Sequence, residues 1–214
     1  MNNFGFDTDQ MLHGTVVMME LATAGIGVSL ILGSIGGLAR SRGPTWLRWL
    51  ITSYVELVRG LPQILQLFVL YFGLTQFGID LSPFTAGFIW MCFYGTGYAI
   101  EIFRAGIEGV HPGQIEASTA LGLNRVQSFR RVVLPQAVAR MVPPLTTFVI
   151  LELKSTTLLY IIGVPEIMYH ANLLASNSQP LTVYLIAVGF YLVINTTLGR
   201  LGAYVEHRMS WAKS

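Results

Sequence analysis

The sequence predicts an all-α membrane protein with about five transmembrane helices, on three observations. Of its 214 residues, 53% are hydrophobic and only 11% are charged, which is too few ionic groups to cover a soluble globule of this size. Several stretches reach the length of about 20 mostly apolar residues that a helix needs to cross a bilayer. Basic residues are concentrated in the segments that flank these stretches on one side. We expect one membrane domain over residues 1–214, with spans at about 14–38, 54–77, 84–103, 143–162 and 181–203.

We expect the first predicted span to be a retained helix and not a signal peptide. No basic segment precedes it, and its apolar run exceeds the core of about 7–15 residues that signal peptides carry. Small residues recur every four positions, which predicts a ridge where another helix can approach closely: Gly25, Ser29, Gly33 and Gly37. Glu20 lies in the same span and must face protein or water, because an ionised group exposed to lipid is costly.

The second predicted span starts near Tyr54 and contains two opposite charges beside a helix breaker. Glu56 and Arg59 are three residues apart on one helix face, and Gly60-Leu61-Pro62 follows at once. We expect a bend at this point. An ion pair between the two side chains that orients the bend is favoured over direct contact with a ligand. At the inner end of span three, Glu101 and Arg104 have the same spacing and are also predicted to form a structural ion pair.

The distribution of basic residues predicts the orientation of the chain. Residues 1–12, 73–83 and 163–182 contain no Lys or Arg, whereas arginines follow span one and fill the segment between spans three and four. By the positive-inside rule the N-terminus is outside and the C-terminus is in the cytoplasm. These charges flank the membrane and no nucleic-acid recognition motif accompanies them, so no nucleic-acid partner is expected.

The long interior loop, residues 104–142, is predicted to fold as helix, turn, helix. Pro112 suits a first helical turn and Gly122 suits the position after a helix end. Asn124 and Gln127 have the spacing of a capping box that starts a second helix, which we expect to end before Pro135. The loop is therefore expected to be a folded platform on the cytoplasmic surface.

Lys154 is the most informative charge within the spans. A count of about 1.5 Å per residue from Pro144 places it near the bilayer midplane, where a charge needs an acidic partner, water or an anionic ligand. Glu152 is two residues away and points to a different face. Two interpretations stay open: contact with a ligand in a membrane path, and a buried ion pair with an acid of another helix, namely Glu20, Glu56 or Glu101.

The sequence offers no set of residues for catalysis. Cys92 is the single cysteine, the four histidines are scattered, and no lysine follows a Gly-rich phosphate-binding run. No metal site, bound cofactor or enzymatic activity is expected of this chain. A secondary transporter or channel would usually show paired repeats or corresponding broken helices, and these are not evident. A purely structural membrane subunit remains an alternative.

One motif in the interior loop resembles that of a known family. Glu116-Ala117-Ser118 is followed by three residues, Gly122, nine residues and Val132-Val133-Leu134-Pro135. This pattern resembles the EAA loop of ABC importer permeases. Other segments resemble the polar amino acid branch of that family over residues 14–208: 56–62, 101–107, 129–131, 134–137 and 153–156. Ser118 stands where the family more often has Ala.

The resemblance implies a type I ABC importer permease in a bacterial plasma (inner) membrane. Such a subunit pairs with a second permease, a copy of itself or a sister chain, and works with two cytoplasmic ATP-binding subunits and an external solute-binding protein. ATP and Mg would be bound by the ATPase subunits. By carry-over, the coupling helix spans about Gly113 to Leu121, and the positions expected to couple to the ATPase are Gly113, Gln114, Glu116, Ala117, Ser118 and Gly122. The candidate substrate path contains Lys154, Glu152, Ser155 and Thr156.

Overall fold

The computed structural model describes residues 8–176 and 180–209, and all regular elements in those ranges are helical. The α-helices in order are α1 (Thr8–Arg42), α2 (Thr45–Gly60), α3 (Gln63–Thr75), α4 (Pro83–Glu108), α5 (Pro112–Ala120), α6 (Arg125–Ser128), α7 (Leu134–Ser155), α8 (Ile167–Ala175) and α9 (Pro180–Met209). A π-helical turn, Phe129–Val133, joins α6 to α7, and a 3₁₀ segment, Thr156–Ile162, follows α7.

Within the described residues, three helical segments are long and apolar enough to cross a membrane: Asp9–Arg42, Arg125–Ile162 and Pro180–Met209. The pair α2 and α3 adds a fourth if it is counted as one span, and its two halves meet at 104°. Helix α4 has 26 residues, a length of about 39 Å. The division into five spans stays a prediction.

The predicted bend after Gly60 is formed, but the helix before it is longer than expected. Helix α2 begins at Thr45, not near Tyr54, directly after Pro44. The difference arises because residues 45–60 contain no internal helix breaker, so the helix extends back to the proline. The added turns carry Trp46 and Trp49, whose side chains are exposed.

The small-residue ridge of α1 packs against α4, as its spacing predicted. A β-carbon added at Gly33 would overlap the Cβ of Ala99, and one at Gly37 would lie 2.5 Å from the Cβ of Phe103. Ser29 on the same ridge is fully buried. Helices α1 and α4 can therefore approach this closely only because the residues of the ridge have small side chains or none.

The second interior helix does not end before Pro135, which corrects the sequence-based expectation. Residues 125–162 form one helical segment of 38 residues. The backbone N–H of Leu134 donates to the carbonyl of Phe129, five residues earlier, so the hydrogen-bond register changes immediately before the proline. Because Pro135 occupies the first turn of α7 after this change, its missing N–H does not break the helix.

On the side predicted to be external, α8 is fixed to the transmembrane helices by Glu166. This fully buried carboxylate accepts hydrogen bonds from the backbone N–H of Tyr169 at 2.8 Å and from the hydroxyl of Tyr191 in α9 at 2.9 Å. The first bond caps the start of α8, and the second ties the helix to α9. Ile167 and Ala171 form the buried face of this short helix.

Candidate functional site

Helix α5 is the folded centre of the interior loop. It spans Pro112–Ala120, one residue earlier at each end than the expected Gly113 to Leu121. The Nδ1 atom of His111 accepts a hydrogen bond from the N–H of Gly113 at 3.1 Å, so the histidine caps the helix before the proline. Sequence reasoning missed this cap because histidine is not among the usual N-cap residues.

The end of α5 is a Schellman motif built on Gly122. The N–H of Leu123 donates to the carbonyl of Ser118 at 3.1 Å, and the N–H of Gly122 donates to that of Thr119 at 2.9 Å. Gly122 has φ of 77°, a left-handed conformation that other L residues adopt at a cost. The motif reverses the chain within a few residues and fixes the orientation of α5.

A capping box starts α6 directly after this turn, as the spacing predicted. The Oδ1 atom of Asn124 accepts from the N–H of Gln127 at 2.9 Å, and the Oε1 atom of Gln127 accepts from the N–H of Asn124 at 3.0 Å. The linker between α5 and α6 is therefore fully specified by local hydrogen bonds.

Two of the expected coupling residues, Ser118 and Gln114, form side-chain hydrogen bonds to other residues of this chain. Ser118 is 2% exposed, and its hydroxyl lies 2.5 Å from that of Ser128 while donating to the carbonyl of Ile115. The side-chain oxygen of Gln114 accepts from the amide of Gln136 in α7 at 3.2 Å. Both contacts hold α5 on the segment that leads into α7.

The outward surface of the loop combines a carboxylate with small and apolar side chains. Glu116 and Ala117 are exposed, as is Gly122, while Gly113 is half-buried at the helix start. Leu121 and Val126 beside them are 81% and 66% exposed. Exposed apolar side chains on a polar loop are typical of surfaces that contact other proteins.

The second candidate region lies at the break between α2 and α3. Gln63 opens α3, and its side-chain amide donates to the hydroxyl of Tyr94 and lies 3.5 Å from the Oγ of Ser155. Lys154 next to Ser155 is exposed on the subunit surface, whereas Thr156 is buried and donates to the carbonyl of Leu153. The break thus brings α3, α4 and the end of α7 together at Ser155, the residue that follows Lys154 in sequence.

Glu152 lies behind this polar group, inside the subunit. It is 1% exposed, and neither carboxyl oxygen has a hydrogen-bond partner among the described residues. A β-carbon on Gly95 of α4 would lie 3.0 Å from its Oε1 and would overlap the hydroxyl of Ser29. The glycine therefore leaves room for the carboxyl group between α1, α4 and α7. In the described residues Lys154 forms no ion pair with Glu20, Glu56 or Glu101.

The inner end of α4 carries an ion-pair network. Glu101 pairs with Arg104 of its own helix and with Arg40 of α1, and Arg104 also pairs with Glu108. The Nε of Arg40 donates to the hydroxyl of Thr52 in α2 at 3.1 Å. Sequence reasoning predicted the Glu101–Arg104 pair but missed Arg40, since its contact depends on how α1 packs against α4.

The predicted ion pair between Glu56 and Arg59 is not formed, which is a correction. Both side chains are exposed, and the guanidinium carbon of Arg59 lies 5.8 Å from the centre of the Tyr98 ring. The cation is drawn to the electron-rich face of the aromatic ring on α4, which the spacing within α2 could not reveal.

Comparison with known proteins gives a consistent result. Residues 25–211 match the family described as binding-protein-dependent transport system inner membrane component. The chain is 34% identical over 209 residues to the probable glutamine ABC transporter permease protein GlnM of Bacillus subtilis, covering 97% of this chain and 95% of that protein. It is 35% identical over 207 residues to the octopine transport system permease protein OccM of Rhizobium meliloti, covering 92% and 84%.

Solved structures agree with this placement. A structure titled "Crystal structure of an amino acid ABC transporter with histidines" matches with a TM-score of 0.88 and 30% identity, over 94% of each chain. The inward-facing MetNI methionine ABC transporter shares the fold, with a TM-score of 0.80 at 15% identity over 95% of this chain and 99% of that one. With the capped interior loop and the apolar helices, these matches show that the chain belongs to the family of inner-membrane components of binding-protein-dependent transport systems, with the fold of a type I ABC importer permease.

Proposed function

We propose that this chain is the permease subunit of an ATP-driven importer that moves a polar amino acid, or a related small solute, into the cytoplasm. The observation that carries the proposal is the surface of α5, where Glu116 and Ala117 stand exposed beside Leu121 on a helix capped at both ends. A rigid helix with small and apolar side chains can seat in a groove of another subunit and transmit its movement.

The proposed partners follow from the family to which the chain belongs. In this proposal two cytoplasmic ATPase subunits bind ATP and Mg. A second permease, identical or related, completes the path, and an external solute-binding protein delivers the substrate. In this proposal the N-terminus lies outside and the C-terminus inside, because the positive-inside rule assigns the arginine-rich segments to the cytoplasm.

The chemistry is a conformational equilibrium driven by the partners. ATP binding closes the ATPase subunits, α5 follows this movement, and the path changes from inward-facing to outward-facing. Because α6, the π-helical turn and α7 form one helical segment, displacement of the loop is conveyed along it to Glu152 and Lys154. These two residues, with Ser155 and Thr156, are the candidate path residues of this chain.

The proposed substrate class rests on relatives and on charge. The relatives described above are named for glutamine and octopine transport. An amino acid carries a carboxylate, and the ammonium group of Lys154, which is exposed near the end of α7, supplies the complementary charge, whereas Glu152 is only 1% exposed. A charge at this depth in the membrane is costly unless a ligand, water or a counter-ion accompanies it.

Reconstitution tests the function directly. The chain is purified with the ATPase and binding-protein products of neighbouring genes and placed in liposomes, and ATP hydrolysis is measured with each polar amino acid. We expect one or a few amino acids to stimulate hydrolysis, and to accumulate in the lumen only when the ATPase subunits and ATP are inside the liposomes and the binding protein is outside. A complex that hydrolyses ATP at the same rate with every amino acid, and moves none, would refute the proposal.

A further inference from the structure

The break between α2 and α3 leaves the backbone carbonyls of Val58 and Leu61 without their usual helical partners. The carbonyl of Val58 would normally accept from the N–H of residue 62, which is proline and has none. Leu61 is extended, with φ of −102° and ψ of 142°, so its carbonyl also lies outside the helical ladder. In a membrane protein such groups must be satisfied within the protein.

A single buried side chain satisfies both carbonyls. The side-chain nitrogen of Gln66 donates to the carbonyl of Val58 at 2.8 Å and to that of Leu61 at 2.9 Å. Gln66 is 7% exposed, and the two hydrogens of its amide suit two acceptors. Because both partners are carbonyl oxygens, the amide nitrogen must face them. Gln66 thus bridges the end of α2 and the start of α3 across the 104° bend.

The hydrogen bonds of Gln66 also affect where Gln63 of α3 lies relative to α4 and α7. Val58 packs on Gly97 of α4, where an added β-carbon would lie 2.7 Å from its Cγ1, so the end of α2 is fixed to α4. Gln63, one turn before Gln66 on α3, then meets Tyr94 and Ser155. If the bend opened or closed, Gln63 would move relative to both.

We propose that Gln66 is a positioning residue for transport: its amide holds the α2–α3 bend and thereby keeps Gln63 against Tyr94 and Ser155 beside the membrane path. Gln66 itself is buried and does not reach the substrate. The proposal rests on the proposed function of the path. It predicts that removal of the Gln66 amide changes the angle between α2 and α3, and that this change weakens the response of the complex to its substrate.

The geometry is tested without any substrate. Spin labels on cysteines at Ser53 in α2 and Phe72 in α3, both exposed, report the distance across the bend in a Cys92→Ser background. Gln66→Met keeps the length of the side chain and removes both donors. We expect the distance distribution to shift or broaden, whereas Gln76→Met, the same change at an exposed site on the end of α3, leaves it unchanged. An unaltered distribution in Gln66→Met would overturn the proposal.

Kinetics of the reconstituted complex test the consequence. Gln66→Met should raise the amino acid concentration for half-maximal ATPase stimulation by about tenfold, with basal hydrolysis unchanged. In a Gln63→Ala background the same change should add little, because the two residues act through one contact. Fully additive effects, or an unchanged half-maximal concentration, would reject the positioning role.

Gln66→Glu keeps the test decisive if the methionine variant fails to assemble. A protonated glutamic acid donates one hydrogen bond, whereas a carboxylate repels both carbonyls. The distance distribution across the bend in Gln66→Glu should therefore approach the parental one at low pH, where the side chain is protonated, and that of Gln76→Glu should not change with pH. A Gln66→Glu distribution that stays unlike the parental one at low pH would overturn the proposal. If no amino acid stimulates the unmodified complex, the proposed function fails, while the distance measurement still decides whether Gln66 fixes the bend.

Discussion

The hydroxyl groups of Ser118 and Ser128 lie 2.5 Å apart, and this contact joins the interior helix α5 to the helical segment that enters the membrane. Both side chains are buried at an otherwise exposed surface. A direct hydrogen bond therefore joins α5 to α6 in addition to the backbone of the turn.

Ser118→Ala should lower the stability of the purified subunit by about 1 kcal/mol, because it leaves the buried hydroxyl of Ser128 without this partner. Ser128→Ala should have a similar effect, and the double variant should cost less than the sum of the two. Thermal unfolding in detergent measures the change. Ser34→Ala, which removes a hydroxyl bonded only within its own helix turn, is the control. Additive losses would mean that the two hydroxyls act independently.

Gly122→Ala should reduce coupling between ATP hydrolysis and transport, because a left-handed backbone costs a residue with a β-carbon roughly 1–2 kcal/mol. No atom lies within 4 Å of the added carbon, so the effect is backbone strain alone. Gly122→Asn should be milder, since asparagine tolerates this conformation. Solute moved per ATP hydrolysed is the measurement. Gly189→Ala, also in open space but with helical backbone, should behave as the parent.

The local signals of the interior loop were sufficient to predict its turn at Gly122 and the capping box of α6, but not the His111 cap of α5. Gly122, Asn124 and Gln127 act on neighbours within a few residues, so their spacing contained the answer. The prediction at Pro135 was wrong because it used only the local rule that proline ends a helix. That rule does not take account of a π-helical turn directly before the proline.

Contacts between distant segments could not be predicted in this way. The Arg40–Glu101 pair joins residues 61 positions apart, and it depends on the register of α1 against α4. Arg59 turned to Tyr98 on another helix and not to Glu56 on its own. The sequence does show an amide side chain, Gln66, four residues after Pro62. Its hydrogen bonds to the carbonyls of Val58 and Leu61 became evident only from the geometry of the bend.

Gly33→Ile should prevent normal packing of α1 on α4, because even one added carbon overlaps Ala99. We expect loss of folded, assembled protein, or a fall in stability of about 2 kcal/mol or more. Gly27→Ile on the same helix is the matched control, since no atom lies within 4 Å of its added carbon. Yield and thermal unfolding of both variants are compared. Equal behaviour of the two would contradict the packing described for this ridge.

Cysteine labelling in a Cys92→Ser background should reveal the orientation of the chain. An impermeant thiol reagent applied to intact cells is expected to modify a cysteine at Ile79, in the segment after α3, and to miss one at Arg125 at the start of α6. Opening the cells should make the second site reactive. The arginine distribution underlies this expectation. The reverse labelling pattern would invert the proposed topology and remove the interior loop from the cytoplasm.

Lys154→Met separates the two interpretations of the charge on α7. Lys154 is exposed on the subunit and forms no ion pair within the described residues, and Glu101 is already engaged by Arg40 and Arg104. Removing the ammonium group should therefore leave the thermal stability of the subunit within about 0.5 kcal/mol of the parent.

Amino acid stimulation of ATP hydrolysis by the same preparation should fall at least about tenfold if the substrate carboxylate meets this ammonium group in the path. Lys154→Arg keeps the charge and should retain more of the stimulation. A buried ion pair predicts a different result, because the remaining acid would be uncompensated and the complex would lose several kcal/mol of stability. Lost stability that is recovered by also neutralising Glu20 or Glu56, with stimulation restored, would reject direct substrate contact by Lys154.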